Sequence, residues 1–343
     1  MSEPDEGAPH PRETAVLFGH AEAERALLDS YKSGRIPHAW LIGGPPGIGK
    51  ATLAYRMARF VLAHPDPQMR TVQDAQTLGV DPDNSATRRI AAQAHGGLLV
   101  LERTLNEKGN LRQDIAVDDV RKSVGFFGST AGEGGWRIAI VDAVDELNRS
   151  GANALLKVLE EPPERSLLLL VSHAPGRVLP TIRSRCRRLL LRPLEVADVA
   201  RAAAAAAGRE PDEPEVQQAA AAADGSVARA LAFLDGAALG LRQRVLDLLA
   251  QLPEPDPRAL HALGDSLGYS DPQTLATFVD LVNDWLSARL KASAQETKRA
   301  TPQLARVAET WDKINRAARD VEAYNLERKP LVFAVFGLLA ETA

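Results

Sequence analysis

Apolar positions follow two alternating patterns up to about residue 192 and one pattern after it. Ala23, Ala26, Leu27 and Tyr31 recur at helical spacing, whereas His38-Ala39-Trp40-Leu41-Ile42-Gly43 is a short apolar run that ends in glycines. The first predicts a helix and the second a strand. Leu53, Met57 and Phe60 or Val61 place the next helix over 51–62. Apolar runs at 98–101, 138–141 and 167–171 predict three more strands, with helices over 118–127 and 148–161 between them. Gly128 and the glycines at 132, 134 and 135 end the first of these helices, and Pro162-Pro163 ends the second. Strands that are apolar throughout and separated by helices predict an α/β domain with a parallel sheet covered on both faces.

Outside this alternation the pattern changes. Residues 1–15, rich in Pro and charge, predict a disordered leader, with order beginning at Val16-Leu17-Phe18-Gly19. Residues 65–96 have weak periodicity and read as an inserted loop with a short helix at about 86–94. From 193 to 236 the chain is alanine-rich and wholly helical, a lid of short helices. From 237 to 343 strands are again missing. Leu275, Phe278, Val282, Trp285 and Leu286 mark one helix face, and Leu304, Val307, Trp311, Ile314, Ala318 and Val321 mark another.

The whole chain has 343 residues, enough for two or three packed domains. Its 41 Lys and Arg against 45 Asp and Glu leave a formal net charge of −4, which removes any global electrostatic case for coating nucleic acid or a membrane. One cysteine, Cys186, cannot form an internal disulfide framework, and with seven scattered histidines it builds no Cys-rich zinc site. No apolar run reaches the roughly 20 residues a membrane span needs, and the start has no signal-peptide pattern, so a cytoplasmic chain is expected.

The strongest chemical signal is Gly44-Pro45-Pro46-Gly47-Ile48-Gly49-Lys50-Ala51-Thr52, which joins a predicted strand to a predicted helix. Glycines there let successive amides turn towards phosphate oxygens, the helix N-terminus adds its positive end, and Lys50 reaches the terminal phosphates. The pattern departs from the usual phosphate loop at Ala51, where a Ser or Thr hydroxyl would hold magnesium. Thr52 is one residue further on and, at about 100° per residue, points elsewhere. Asp142 follows the strand over 138–141, where a magnesium-side carboxylate belongs, but Ala143 takes the place of the water-polarising acid. Asp145 and Glu146 are the nearest substitutes. Ser172, after the strand over 167–171, can donate a hydrogen bond near a terminal phosphate, while His173 reads as an ordinary loop histidine. Arg183, Arg185, Arg187 and Arg188 crowd together around Cys186, which reads as an inert buried thiol. An arginine at the edge of a nucleotide domain can enter a neighbour's site, although a solvated or DNA-facing patch is the alternative for Arg185.

The segments GPPGIGKATLAYRMARF and IAIVDAVDELNRSGANALLKVLEEPPERSLLLLVSHAPGRVLPTIRSRCRRL, followed by a long helical tail, resemble the bacterial replicative clamp-loader family of AAA+ proteins, and within it the delta-prime branch of DNA polymerase III. That resemblance implies a RecA-like AAA+ domain over 16–192, a helical lid over 193–236 and a helical collar over 237–343. The collar would join tau/gamma ATPase and delta subunits in a five-membered ring that loads a sliding clamp on primed DNA. Ser184-Arg185-Cys186 matches the family's interfacial SRC motif, with the arginine acting in trans on a neighbour's ATP. Ala51, Ala143 and Ala228 stand where the family's hydrolysing subunits carry Thr or Ser, Glu and a sensor arginine, and Arg229 is only a neighbour of the last. The implied nucleotide is ATP or ADP with weak or absent magnesium coordination, and the family's four-cysteine zinc module is not carried over. An active loader ATPase using Thr52 with Asp145 or Glu146, and a stand-alone DNA-binding module on an inactive nucleotide fold, remain the competing expectations.

Overall fold

The computed structural model describes residues 9–105, 112, 114–128, 135–234, 236–268, 272–296, 301–324 and 326–342. Residues 1–8 of the expected leader, and Gly132 and Gly134, lie outside them. The chain divides into two compact units, the first ending at Ala232 and the second beginning at Phe233.

The first unit is built on five parallel strands, β1 (Ala39–Gly43), β2 (Leu98–Glu102), β3 (Arg137–Asp142), β4 (Ser166–Ser172) and β5 (Arg187–Leu190), in the order β2-β3-β4-β1-β5. Alternation along each strand feeds two cores. Trp40, Ile42, Ile138, Ile140, Leu167 and Leu169 join one cluster with Leu27, Leu53, Met57 and Phe60. Ala39, Leu41, Ala139, Val141, Leu168 and Leu170 join the other with Val120, Leu155 and Leu159. The sheet is therefore covered on both faces by the helices α1 (Ala21–Lys32) and α2 (Lys50–Ala63) on one side, and α5 (Val117–Gly128) and α6 (Arg149–Glu160) on the other.

The segment 65–96 contains two short helices, α3 (Arg70–Gln73) and α4 (Ser85–Ala91), where a single one was expected. It packs through Val72, Leu78 and Ile90. Its polar anchor is Glu24, whose carboxylate accepts the Leu78 amide at 3.1 Å and pairs with Arg56 at 2.7 Å. Among the described residues no group of three or more His, Cys, Asp and Glu could hold a metal ion.

Order begins earlier than Val16. Arg59 of α2 donates to the carbonyls of Pro11, Arg12 and Thr14, and Arg56 donates to that of Ala15. Backbone carbonyls are what hold residues 11–15, so a stretch with few apolar side chains is nonetheless docked.

The short α7 (Pro180–Arg183) leads into β5, an edge strand absent from the expected set. The unit then continues through α8 (Val196–Ala207), α9 (Pro214–Ala222) and the start of α10 (Val227–Leu234). Gly208, at φ 67°, ends α8.

The second unit holds α11 (Ala237–Leu249), α12 (Pro257–Gly268), α13 (Pro272–Glu296), α14 (Thr301–Tyr324) and α15 (Lys329–Ala340). Its own core includes Leu275, Phe278, Val282, Leu286, Ile314 and Phe336. Asn283 and Asn315 exchange side-chain hydrogen bonds of 3.0 Å between α13 and α14, a polar pair that fixes their register. No helix among the described residues is long and apolar enough to cross a membrane.

Candidate nucleotide site and exposed arginine

Parallel pairing brings the carboxyl ends of β1, β4 and β3 side by side, with Gly43 opposite Ser172 and Glu102 opposite Asp142. The glycine loop, Asp142 and Ser172 thus gather at one edge of the sheet, where α/β folds bind ligands. Gly44 adopts φ 153°, and a Cβ there would lie 2.7 Å from the Leu191 carbonyl oxygen, so only glycine fits.

Gly47 shows what covers the loop. At φ 72°, it lies so close to the start of α10 that a Cβ would stand 2.2 Å from Ser226 Oγ and 2.8 Å from Ala228 Cβ. Its carbonyl accepts the amides of Val227 at 2.9 Å and Ala228 at 3.4 Å. Amides at the start of a helix have no partner inside it, and α10 spends two of them on the phosphate loop. His20, just ahead of α1, closes the other side by donating Nε2–H to the Ile48 carbonyl at 2.7 Å. Sequence reasoning missed both clasps, because backbone carbonyls leave no signature in side-chain patterns.

Lys50 is 3% exposed, and its Nζ donates to the Pro45 carbonyl. Burial pushes its pKa down to about 8, against the pull of Asp142 and Asp145. Burial likewise raises Asp142 to about 6, reinforced by Glu146 and Glu102 and opposed by Lys50. A buried ammonium beside a glycine turn suits a phosphate group, held by the loop amides and Lys50. Magnesium fits less well: Ala51 offers no hydroxyl, and Asp142 is the carboxylate that remains on its side of the site.

The substitutes for the missing acid are otherwise engaged. Asp145 accepts the Ser172 hydroxyl at 2.8 Å, the His173 amide and the Ala174 amide at 3.3 Å. Ser172 therefore directs its proton to Asp145, a partner the sequence did not suggest. Glu146 lies 2.9 Å from Arg103 Nε as a half-buried ion pair. In the lid Arg229 faces Asp224 at 3.4 Å, and Ala228 is the residue against the loop. Thr52 is half-buried on α2.

Arg185 is elsewhere. β5 runs parallel to β1, with Trp40 opposite Arg187 and Gly43 opposite Leu190. The chain thus enters β5 at the edge opposite its own glycine loop, about 10 Å of strand away. Arg185 is two residues before that entry and exposed, its guanidinium bonded to Glu160 at 2.8 Å and to the Thr181 carbonyl at 3.0 Å. Ser184 Oγ donates to the same carbonyl at 3.1 Å. Burial pushes the Cys186 thiol up to about 12, so it stays protonated and unreactive near neutral pH.

A five-stranded parallel sheet with this strand order, a glycine loop after its β1 strand and a following set of short helices define an AAA+-like fold. Residues 19–195, just over half of the chain, match the family described as DNA polymerase III, delta subunit, and the chain belongs to that clamp-loader family. It is 41% identical to subunit delta' of Pseudomonas aeruginosa over 149 residues, which are 43% of this chain and 41% of that one. Subunit delta' of Yersinia pestis is 35% identical over 162 residues, 47% of this chain and 44% of the relative. Subunit tau of Escherichia coli is 30% identical over 230 residues, 66% of this chain and 33% of the relative. In each case the match spans less than half of the relative's length.

Proposed function

We propose that this chain is a delta-prime-like subunit of the DNA polymerase III clamp loader. In this reading it hydrolyses little or no ATP itself and lends Arg185 to the ATP site of a neighbouring tau/gamma subunit in a five-membered ring with delta. ATP spent next door releases the sliding clamp on primed DNA. The observation that carries the reading is the position of Arg185, exposed at the sheet edge opposite its own phosphate loop. From there its side chain serves a site on another chain.

The state of the local site supports the same division of labour. Ala51 and Ala143 supply neither the magnesium hydroxyl nor the water-polarising carboxylate, and Asp145 already accepts three donors. These contacts disfavour an active ATPase that recruits Asp145. Lys50 and the glycine amides still suit a phosphate, so nucleotide binding without turnover belongs to the proposal. The second compact unit is assigned to assembly, as a collar.

The test is reconstitution of the loader with clamp and primed DNA saturating. Arg185→Ala should leave assembly intact and lower single-turnover ATP hydrolysis at one interface, by up to about 10³-fold at that site. Arg187→Ala and Arg188→Ala should not share that effect. Equal losses of DNA affinity with all three substitutions would indicate a general basic patch instead.

A further inference from the structure

We propose that Glu160 is a positioning residue for Arg185, one that aims the guanidinium outward before a neighbour arrives; this rests on the trans-acting reading above. Glu160 is the last residue of α6, whose N-terminus is capped by Asn148 Oδ1 accepting the Gly151 amide at 2.9 Å. Leu155, Val158 and Leu159 lock that helix into the core beneath the sheet, and Ile182 of α7 enters the same core. Glu160 thus ends an element fixed to that core, and Arg185 follows another by two residues, although 25 residues separate the pair.

The pair itself holds the guanidinium at two points. Nη2 donates to Glu160 Oε1 at 2.8 Å, and Nη1 donates to the Thr181 carbonyl at 3.0 Å. A guanidinium has five N–H donors in a rigid fork, so Nε–H and one hydrogen on each Nη remain for another acceptor. Stability does not explain the contact. The side chains are 36% and 51% exposed, and surface ion pairs of this kind contribute about 0–1 kcal/mol while ordering two long side chains. Nor is it general to the cluster, since Arg183 donates to the Gly176 carbonyl and Arg187 lies over the Trp40 ring. What the contact does is choose one direction among many for Arg185. A charge-assisted bond to a carboxylate is suited to that, because a planar fork held on one edge has its remaining edge defined.

The experiment compares Glu160→Ala, Glu160→Gln, Glu161→Gln and Arg185→Ala in the full reconstituted loader, reading single-turnover ATP hydrolysis against ATP concentration. Glu160→Ala should lower the hydrolysis rate constant about tenfold, through misplacement of the finger. The ATP concentration at half-maximal rate should change by less than about twofold, because aiming acts on the chemical step and not on nucleotide binding. Glu160→Gln, which keeps the shape and loses the charge, should cost about threefold, and it carries the test alone if the alanine variant does not assemble. The double variant Glu160→Ala/Arg185→Ala should be no slower than Arg185→Ala, and Glu161→Gln should match wild type. Wild-type rates for the Glu160 variants in a complex that Arg185→Ala slows would overturn the role of Glu160 and leave the finger standing. Wild-type rates for Arg185→Ala as well would overturn both.

Discussion

The Val227 amide donates to the Gly47 carbonyl at 2.9 Å, joining the first turn of a lid helix directly to the phosphate loop. Ala228, one residue on, is small enough to lie against Gly47. The first turn of α10 thus reaches the glycine loop through backbone hydrogen bonds. Three consequences for the local site can be measured.

Nucleotide should bind weakly and with little help from magnesium. Titration with a fluorescent ADP analogue should show less than about threefold tightening when magnesium is added, and Lys50→Ala should abolish binding. Ala51→Thr restores the ion's hydroxyl ligand and should introduce a magnesium dependence of about tenfold or more. A strong magnesium effect in the unaltered chain would show that Thr52 or water already fills that role.

Gly47→Ala should destabilise the first unit by about 1–3 kcal/mol, since it combines a positive φ with overlap on Ser226 and Ala228. That corresponds to a fall in Tm of about 2–4 °C per kcal/mol. Gly49→Ala shares the strained backbone, at φ 93°, but its Cβ would meet nothing closer than Leu17 Cδ1 at 3.6 Å, so its loss should be smaller. Equal losses in thermal unfolding would separate the lid contact from the effect.

Asp142 gives a pH dependence of defined sign. Its folded pKa of about 6 is above the ordinary 3.8, so between those values the folded chain binds more protons than the unfolded one. Stability from this group therefore falls as pH rises through that window and stays lower above it. Asp142→Asn should raise Tm by up to about 6–12 °C at pH 7.5, the equivalent of about 3 kcal/mol, and the gain should vanish below about pH 4. An unchanged or lowered Tm at pH 7.5 would contradict a carboxylate kept at a cost to stability.

Much of this arrangement is legible along the chain, and the rest is hidden for identifiable reasons. Four strands announce themselves because each carries an unbroken apolar run; Asp142 is marked by its place directly after one of them, and Lys50 by the glycine loop that follows another. β5 escapes because an edge strand needs little apolar content: Leu189 packs inward while Arg187 and Arg188 stay exposed. Residues 11–15 look unpacked because Arg56 and Arg59 secure them through carbonyls from more than 40 positions away. Asp145 and Ser172 are 27 residues apart, and only the adjacency of β3 and β4 brings them together. The identity of a polar residue can be read locally, but its partner depends on the fold.

The second unit has its own core, so removing it should leave the first intact. A chain ending at residue 236 should remain soluble with a cooperative melt, yet fail to co-elute with the tau/gamma and delta subunits on gel filtration. Stoichiometric assembly by that fragment would place the main contact in the first unit.

The proposed division of labour gives an arginine to a neighbour and spends little or no ATP in this chain. Its most direct test is single-turnover hydrolysis by complete loader, with clamp and primed DNA saturating, carrying either Lys50→Ala or Arg185→Ala in this chain alone. Lys50→Ala should leave rate and amplitude unchanged, and Arg185→Ala should lose the phase belonging to one neighbouring site. A lost phase with Lys50→Ala and none with Arg185→Ala would contradict that division.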